Sequence, residues 1–451
     1  MARQFQMKTL SVRVATLCAI TSMTAFAETR TNPLPGVPFV PNGLRTVSNC
    51  DDSGPGSLRD VVGSAVSGDI IDLTQLACSE ITLISGKVAI TVPDLMLLGP
   101  GVGAGANHHL AINGWYDRVL DHGTGTLILS GLKLAYGHYQ GDLARGGCIL
   151  SRGTLFIDDS IVSACEVDAP YGSIASFAGG GAIYTQGELW MQNSVVSNST
   201  AYSATQVAYG GGVFASYGVT IEGSTITGNR VIAPQALAVG GGLMVGGFSD
   251  VTIMSSTISG NEAEFAGGMR IDTLGTSKII NSTLSGNYAS LYIGGASFSN
   301  TTVSLINSTI ARNSTYAYAA GVYSDLPMTV QSSIVADNRA IASDSIDVCA
   351  PSIGGGANLI TSSCSTTPGD TIRWCPRLTA LADHGGPTWT HALVPGGLGF
   401  NVGSNTMSLD ADQRGYARAV GPGIDIGAYE WQGDFGDNIF KSAFEIACDE
   451  Y

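Results

Sequence analysis

Carboxylates, imidazoles and aromatic rings are the side chains whose types and spacing could do chemistry here. Asp158-Asp159 is the adjacent acidic pair within the repeated part of the chain. Carboxylates gathered on one face can protonate a glycosidic oxygen and activate water, so Asp158 and Asp159 are the candidate catalytic residues. The pair directly precedes Ser160 at a strand-to-turn phrase, where a solvated turn is the competing role. A lyase would want Arg or Lys beside calcium-binding carboxylates; Arg270 and Lys278 lie in neighbouring strands, but no carboxylate cluster keeps register with them. Of the six histidines, His108-His109 would point to opposite faces of a strand, which disfavours one shared metal site. Asp344 and Asp347 are loop carboxylates that calcium could use, without an EF-hand or Gly-Gly-x-Gly-x-Asp motif behind them. No Cys-x-x-Cys and no nucleophile elbow occurs, so neither metal nor other cofactor is expected.

A second pattern is aromatic. Tyr171 and Phe177, Tyr202 and Tyr209, Phe265, Tyr288 and Tyr292, and Tyr316 and Tyr318 recur in the stretches that separate one repeat phrase from the next. If those stretches stack, the rings form a stripe that could lie on sugar faces or contact a surface protein. Rings packing on one another over glycine bends is the alternative.

Positioning these residues requires a repeated scaffold. Ser224-Thr225-Ile226-Thr227-Gly228-Asn229 returns at Ser256, Ser282 and Ser308, with looser copies from Ser130, Ser160, Ser194 and Ser332. Successive starts are 30, 34, 30, 32, 26, 26 and 24 residues apart. A Gly-Gly phrase keeps step, as at Gly180-Gly181, Gly211-Gly212, Gly241-Gly242 and Gly267-Gly268. Short Val/Ile/Thr runs broken by Gly, Asn and Ser are strands with turns. One such unit cannot bury its own apolar face and must stack on copies of itself. The expected fold is all-β: a right-handed parallel β-helix, a solenoid with a short N-terminal capping helix and an irregular C-terminal cap. Asn229, Asn261, Asn287 and Asn313 are expected at left-handed turns and as a ladder of stacked side chains. Ser57 with Asp60 resembles a capping box, and Leu58, Val61, Val62 and Ala65 share one helical face.

Composition bounds the partners. The chain has 451 residues with 60 Gly, about 13% and near twice the usual share. With 36 acidic and 21 basic side chains it carries a net charge of −15, which disfavours nucleic acid. Arg3, Lys8 and Arg13, the apolar run Val14 to Phe26, and Ala25-Phe26-Ala27 read as a signal peptide cleaved after Ala27. Past it no stretch is long and apolar enough for a transmembrane helix. Eight cysteines then remain, an even number that suggests disulfides. Cys50 with Cys78 and Cys349 with Cys364 are the first pairs to expect, then Cys148 with Cys165 and Cys375 with Cys448.

Asn49-Cys50-Asp51-Asp52-Ser53-Gly54-Pro55-Gly56-Ser57-Leu58-Arg59 resembles the opening of bacterial exported β-helix proteins. Asp383-His384-Gly385-Gly386-Pro387-Thr388, Asp412-Gln413-Arg414-Gly415 and Asp425-Ile426-Gly427-Ala428-Tyr429-Glu430 resemble the choice-of-anchor Q domain. This chain has His384 where members often have Asn. The Gly-Gly phrases are similar to polymorphic outer-membrane-protein repeats. The resemblance implies export and a β-helix, and no single activity. Phrases typical of polygalacturonase-like enzymes are absent. The resulting expectation is residues 1–27 as signal peptide, 28–80 as N-terminal segment and cap, 81–345 as repeats, 346–432 as C-terminal cap and 433–451 as acidic tail. The chain is expected to be a monomeric protein, secreted or held at the bacterial cell surface in association with the outer membrane. The expected role is a non-catalytic adhesin or glycan- or matrix-binding module, with a polysaccharide-degrading lyase or hydrolase and a structural stalk as alternatives. Tyr202, Tyr209, Tyr288, Tyr292, Tyr316 and Tyr318 are the candidate ligand-binding residues.

Overall fold

The computed structural model describes residues 39–102, 109–170, 177–394 and 397–433. The signal peptide, most of the acidic tail, His108, Tyr171 and Cys448 lie outside the described residues. The chain winds as a right-handed parallel β-solenoid of about 11 turns. Three sheets run its length: sheet A of 12 strands, sheet B of 11 and sheet C of 10. Each turn passes A, then B, then C. All strand pairs within them are parallel, and equivalent residues stand in register from turn to turn.

Register explains the core. Leu127, Leu155, Leu189, Val219 and Val251 form one inward column of sheet A; Leu134, Val162, Val196, Ile226, Ile258, Leu284 and Ile310 form one of sheet B. All are 2% exposed or less. Each contributes on the order of 2 kcal/mol by leaving water. The helix Leu58–Gly63 joins this core through Leu58, Val61 and Val62 and packs against Val88–Ile90. Ser57 Oγ accepts from the Asp60 amide, and the Asp60 carboxylate accepts from the Gly56 amide. Stacking begins earlier than expected, because Leu44–Thr46 and Asp69–Asp72 already pair in sheet A. It also ends later, at Leu359–Ile360.

Two corners of each turn are built alike: one left-handed residue, then one inward polar side chain. At the corner from A to B, Ser160, Ser194, Ser224, Ser256, Ser282, Ser308 and Ser333 point inward. Each Oγ accepts the backbone N–H of the turn below at 3.0–3.2 Å. At the corner leaving B, Asn229 donates N–H and Nδ2 to Asn261 Oδ1, each at 3.0 Å. Asn261, Asn287, Asn313 and Asn338 repeat the arrangement, and Asp347 ends it. The ladder asparagines are therefore not the left-handed residues that the sequence suggested. That conformation falls one position earlier, on Gly228, Gly260, Gly286 and Arg312. The amide must turn inward to bond its neighbour, so the residue before it takes the bend. The phrase also slips at both ends: Ser333 rather than Ser332 faces in, and Leu132 rather than Ser130.

The stretches between the Asn corner and the Gly-Gly corner are strands rather than loops. Outgoing strands Glu166–Ala169, Thr200–Ser203 and Arg230–Ile232 stack on one another, as do returning strands Phe177–Gly179, Ala208–Tyr209 and Ala238–Val239. Small side chains, among them Ala169, Ala178, Ala201, Ala208, Ala233 and Ala238, fill the space between them. The result is a thin fin, sheet D. It closes where the single strand Glu262–Phe265 pairs with both layers. At the fin's base a Cβ on Gly211 would stand 2.4 Å from the Gly241 carbonyl oxygen, so only glycine fits.

The C-terminal region does more than close the end of the coil. From about Leu378 to Trp431 it runs as a strap along the outer face of sheet B. Thr257, Thr283, Thr309 and Ile334 lie beneath it at 1% exposure or less. Thr257 Oγ1 donates to the Trp389 carbonyl at 2.6 Å, Asn281 Nδ2 to the Ala411 carbonyl at 3.0 Å, and Gly427 N to the Ser332 carbonyl at 2.9 Å. In these turns the outer face of B carries hydroxyls matched to strap backbone, with Ala311, Ile334 and Ala336 packing on Leu378, Leu393 and Ile426. Disulfides join Cys50 to Cys78, Cys148 to Cys165 and Cys349 to Cys364. Cys375 is also disulfide-bonded.

Two substitutions test the corner rule in opposite directions. Asn287→Ala strands the N–H of Asn261 and removes one of the two bonds its Nδ2 donates, and should cost about 2–3 kcal/mol in denaturant unfolding. Ser255→Gly relieves a left-handed non-glycine residue, φ 49°, at the position Gly223 holds one turn earlier, and should stabilise by up to about 1 kcal/mol.

Candidate functional site

The returning face of the fin meets the outer face of sheet C at the Gly-Gly corner, and the two form a groove along the coil. Its sheet C wall is the register column Leu150, Tyr184, Phe214, Met244, Arg270, Ser297 and Tyr323. Its fin wall carries Phe177, then the column Tyr209, Val239, Phe265 and Tyr292. In the lower turns the walls touch. Tyr184 stacks on Phe214 at 4.9 Å, Phe177 lies 6.4 Å from both Tyr184 and Tyr209, and Tyr209 lies 6.0 Å from Phe214. Higher up the rings open to solvent: Tyr292 is 49% and Tyr318 is 41% exposed. Tyr318 lies 5.8 Å from Tyr323, and burial raises its phenol above the usual range. Rings thus pack on one another at one end and face water at the other.

Tyr209, Tyr292 and Tyr318 therefore stand at the groove, while the expected single stripe divides. Tyr202 stands in register with Asp168 and Ile232 on the outgoing layer, and Tyr288 with Glu262 and Ser314. Tyr316 is exposed on the same strand as Ser314. An out-and-back excursion turns its two halves to opposite sides, which spacing alone does not reveal. Tyr184 and Phe214 were missed because they follow the Gly-Gly phrase inside the repeat. There the residue after the inward position faces out.

Asp158 and Asp159 lie elsewhere. Asp158 ends a sheet A strand, above Ser130 and below Gln192. Asp159 is the left-handed corner residue, φ 43°. Both sit where A turns into B, on a different corner from the groove. Lys278 is on sheet A and Arg270 on sheet C, so these two do not converge. Arg270 bonds Asp272 at 3.1 Å and lies over the Phe265 ring.

A polar cavity of about 460 Å³ lies at the C-terminal end of the coil, lined by Asp337, Asn338, Ser343, Asp344, Asp347 and Thr361 among others. Asp347 is committed to structure. It accepts Asn338 N and Nδ2, and Ser362 N and Oγ, and burial pushes its carboxyl up to about 6 against those bonds. Burial likewise raises Asp337 against the pull of Arg312. Among the described residues no group of three or more His, Cys, Asp or Glu is placed to hold a metal ion.

The strap motifs converge on a buried network. Arg414 holds Asp412 through Nε at 2.9 Å and Nη2 at 2.7 Å, and lies 3.7 Å over the Tyr429 ring. Gln413 reaches into the coil, donating to Thr257 Oγ1 and accepting from Thr283 Oγ1. His391 bridges the Thr379 carbonyl and Ser285 Oγ, both at 2.8 Å, and burial holds it down at about 4. His384 packs edge-on against Tyr429. Glu430 accepts the Asp425 amide at 2.8 Å; burial, helped by the Asp425 charge, pushes it up to about 7. Densely hydrogen-bonded and, apart from the half-buried His384, 7% exposed or less, this network fastens the strap rather than meeting a ligand.

Fold and groove together define a parallel β-helix with a ring-lined external groove. Residues 143–305 match the family model described as right handed beta helix region. The crystal structure of pectate lyase Pel9A is similar at a TM-score of 0.43 and 12% identity, over 87% of this chain and 97% of that one. No curated protein sequence matches the chain.

The network carries a pH signature. A native Glu430 near 7 against 4.5 unfolded holds its proton more tightly when folded, so stability falls as pH rises through that window. The full difference is up to about 3 kcal/mol. Glu430→Gln should therefore raise the thermal midpoint at about pH 8 and leave it unchanged near pH 4. His391 works the other way, losing stability as pH falls from 6.5 towards about 4.

Proposed function

We propose that this is an exported, cell-surface or secreted protein that binds glycan or matrix polysaccharide along the groove without cleaving it. The observation that carries the reading is the set of accessible rings on the two walls, the half-buried Phe214 on sheet C facing Tyr209, Phe265 and the exposed Tyr292 on the fin. Stacked parallel strands set such rings about 5 Å apart along the coil. An extended sugar chain can lie across rings so spaced, since pyranose faces are apolar. Three disulfides among the described residues support an oxidising address. The carboxylates proposed for hydrolysis sit on another corner, which favours binding over catalysis.

The test is affinity electrophoresis of the protein through gels cast with neutral and acidic polysaccharides, beside an assay for new reducing ends and unsaturated products. Retardation without product is expected. Tyr209→Ala with Tyr292→Ala should weaken it at least about fivefold, while Tyr202→Ala should not change it. Product formed by wild type and lost in Asp158→Ala or Asp159→Ala would instead make it an enzyme. Neither retardation nor product would leave a structural stalk.

A further inference from the structure

Positive charge gathers at the N-terminal end of the groove, against the net charge of −15. Asp121 accepts from three cations: Lys87 Nζ at 3.0 Å, Arg118 Nη1 at 3.3 Å and Arg152 Nη1 at 2.6 Å. Asp117 Oδ1 is occupied by the Arg118 amide at 2.8 Å. Arg118 Nη2 donates to the Arg145 carbonyl at 3.1 Å, which ties this cluster to the first returning strand of the fin. Among the described residues Arg145 itself has no carboxylate partner. Its guanidinium carbon lies 4.6 Å from the Phe177 ring centre and 5.0 Å from that of Tyr184, and its Nε is buried with no hydrogen-bond partner. Counting Asp94, Asp117 and Asp121 against the four cations still leaves a surplus of one positive charge.

The rings offset part of the cost of holding Arg145 there, but they accept none of its N–H bonds. A guanidinium fork with free donors is matched by a planar or tetrahedral oxyanion. Tyr184 is only 4% exposed, so the rings open to a sugar face here are the half-buried Phe177 and Phe214. A neutral sugar would bring no charge to pair with the guanidinium. A long polyanion such as nucleic acid would meet a strongly acidic surface beyond these four cations.

We infer that this end of the groove is a subsite for an acidic oligosaccharide, with Arg145 taking a carboxylate or sulfate on the sugar whose ring lies against the half-buried Phe177 and Phe214. The inference rests on the groove as a glycan site and adds the charge of the ligand.

Calorimetric titration of the full chain with a six-sugar oligouronate, its carboxyl-reduced neutral counterpart and a sulfated six-sugar chain tests it. At least one charged ligand should bind about tenfold or more tightly than the neutral one, and only charged binding should weaken as salt rises. If the oligouronate alone is preferred the group is a carboxylate; if the sulfated chain alone, a sulfate. Arg145→Gln should bring the charged ligand to the neutral level and leave neutral binding unchanged. Arg230→Gln removes a cation from the outgoing layer, where it pairs with Glu262, and should change nothing. Equal binding of charged and neutral chains to wild type overturns the inference and leaves the groove reading standing. Binding of neither overturns both. The wild-type comparison decides even if Arg145→Gln does not fold.

Discussion

The coil depends on one constraint: an inward amide or hydroxyl at a corner must meet the backbone N–H of the turn below. A buried N–H without a partner is costly, and a parallel coil with corners in its interior creates one at each bend. The Ser and Asn ladders satisfy these groups turn after turn. They do so only if every turn keeps the same register. The apolar columns then follow, because a slip of one residue would turn Leu, Ile and Val outward. Freedom remains only where the chain leaves the ladder, between the Asn corner and the Gly-Gly corner. The fin and the groove lie there.

The repeat was legible because the same constraint writes the same letters. Ser and Asn recur at fixed offsets since few side chains can serve those corners, and Gly recurs where a neighbouring carbonyl leaves no room for Cβ. The fold, the N-terminal helix and the interior positions of Ile226, Ile258 and Leu284 follow from that pattern. Where the pattern loosens, reading by phrase misplaces a residue by one or two, as at Ser332 and Ser130. The left-handed bend was assigned to the ladder asparagines because Asn commonly adopts it. Here the bonding need of the amide outweighs that preference, and glycine or Arg312 takes the bend.

The groove was only half legible. Tyr209, Tyr292 and Tyr318 were visible as aromatics in variable stretches, but their facing partners Tyr184 and Phe214 lie inside the repeat and look like ordinary strand residues. The alternation in Glu166-Val167-Asp168-Ala169 and Thr200-Ala201-Tyr202-Ser203, followed by Ala178 and Ala208 on the way back, carried the fin in the sequence. Small residues on both halves are what two layers need to approach closely. The strap was hidden for another reason: it is fastened to backbone and hydroxyls of turns 66 to 157 residues earlier, and no local spacing encodes that.

The strap also divides the coil mechanically. It is hydrogen-bonded to four consecutive turns, at Thr257, Asn281, Asn307 and Ser332, while the turns below hold only their immediate neighbours. A coil of nearest-neighbour contacts unravels one turn at a time from a free end. Tension applied at the N-terminal side would peel the lower turns singly, each step lengthening the chain by one repeat less whatever the Cys50–Cys78 and Cys148–Cys165 bridges enclose. The four strapped turns would yield together, and only after the strap tears away. The molecule is thus an extensible lower segment joined to a stiff upper one, and the groove crosses the junction between them.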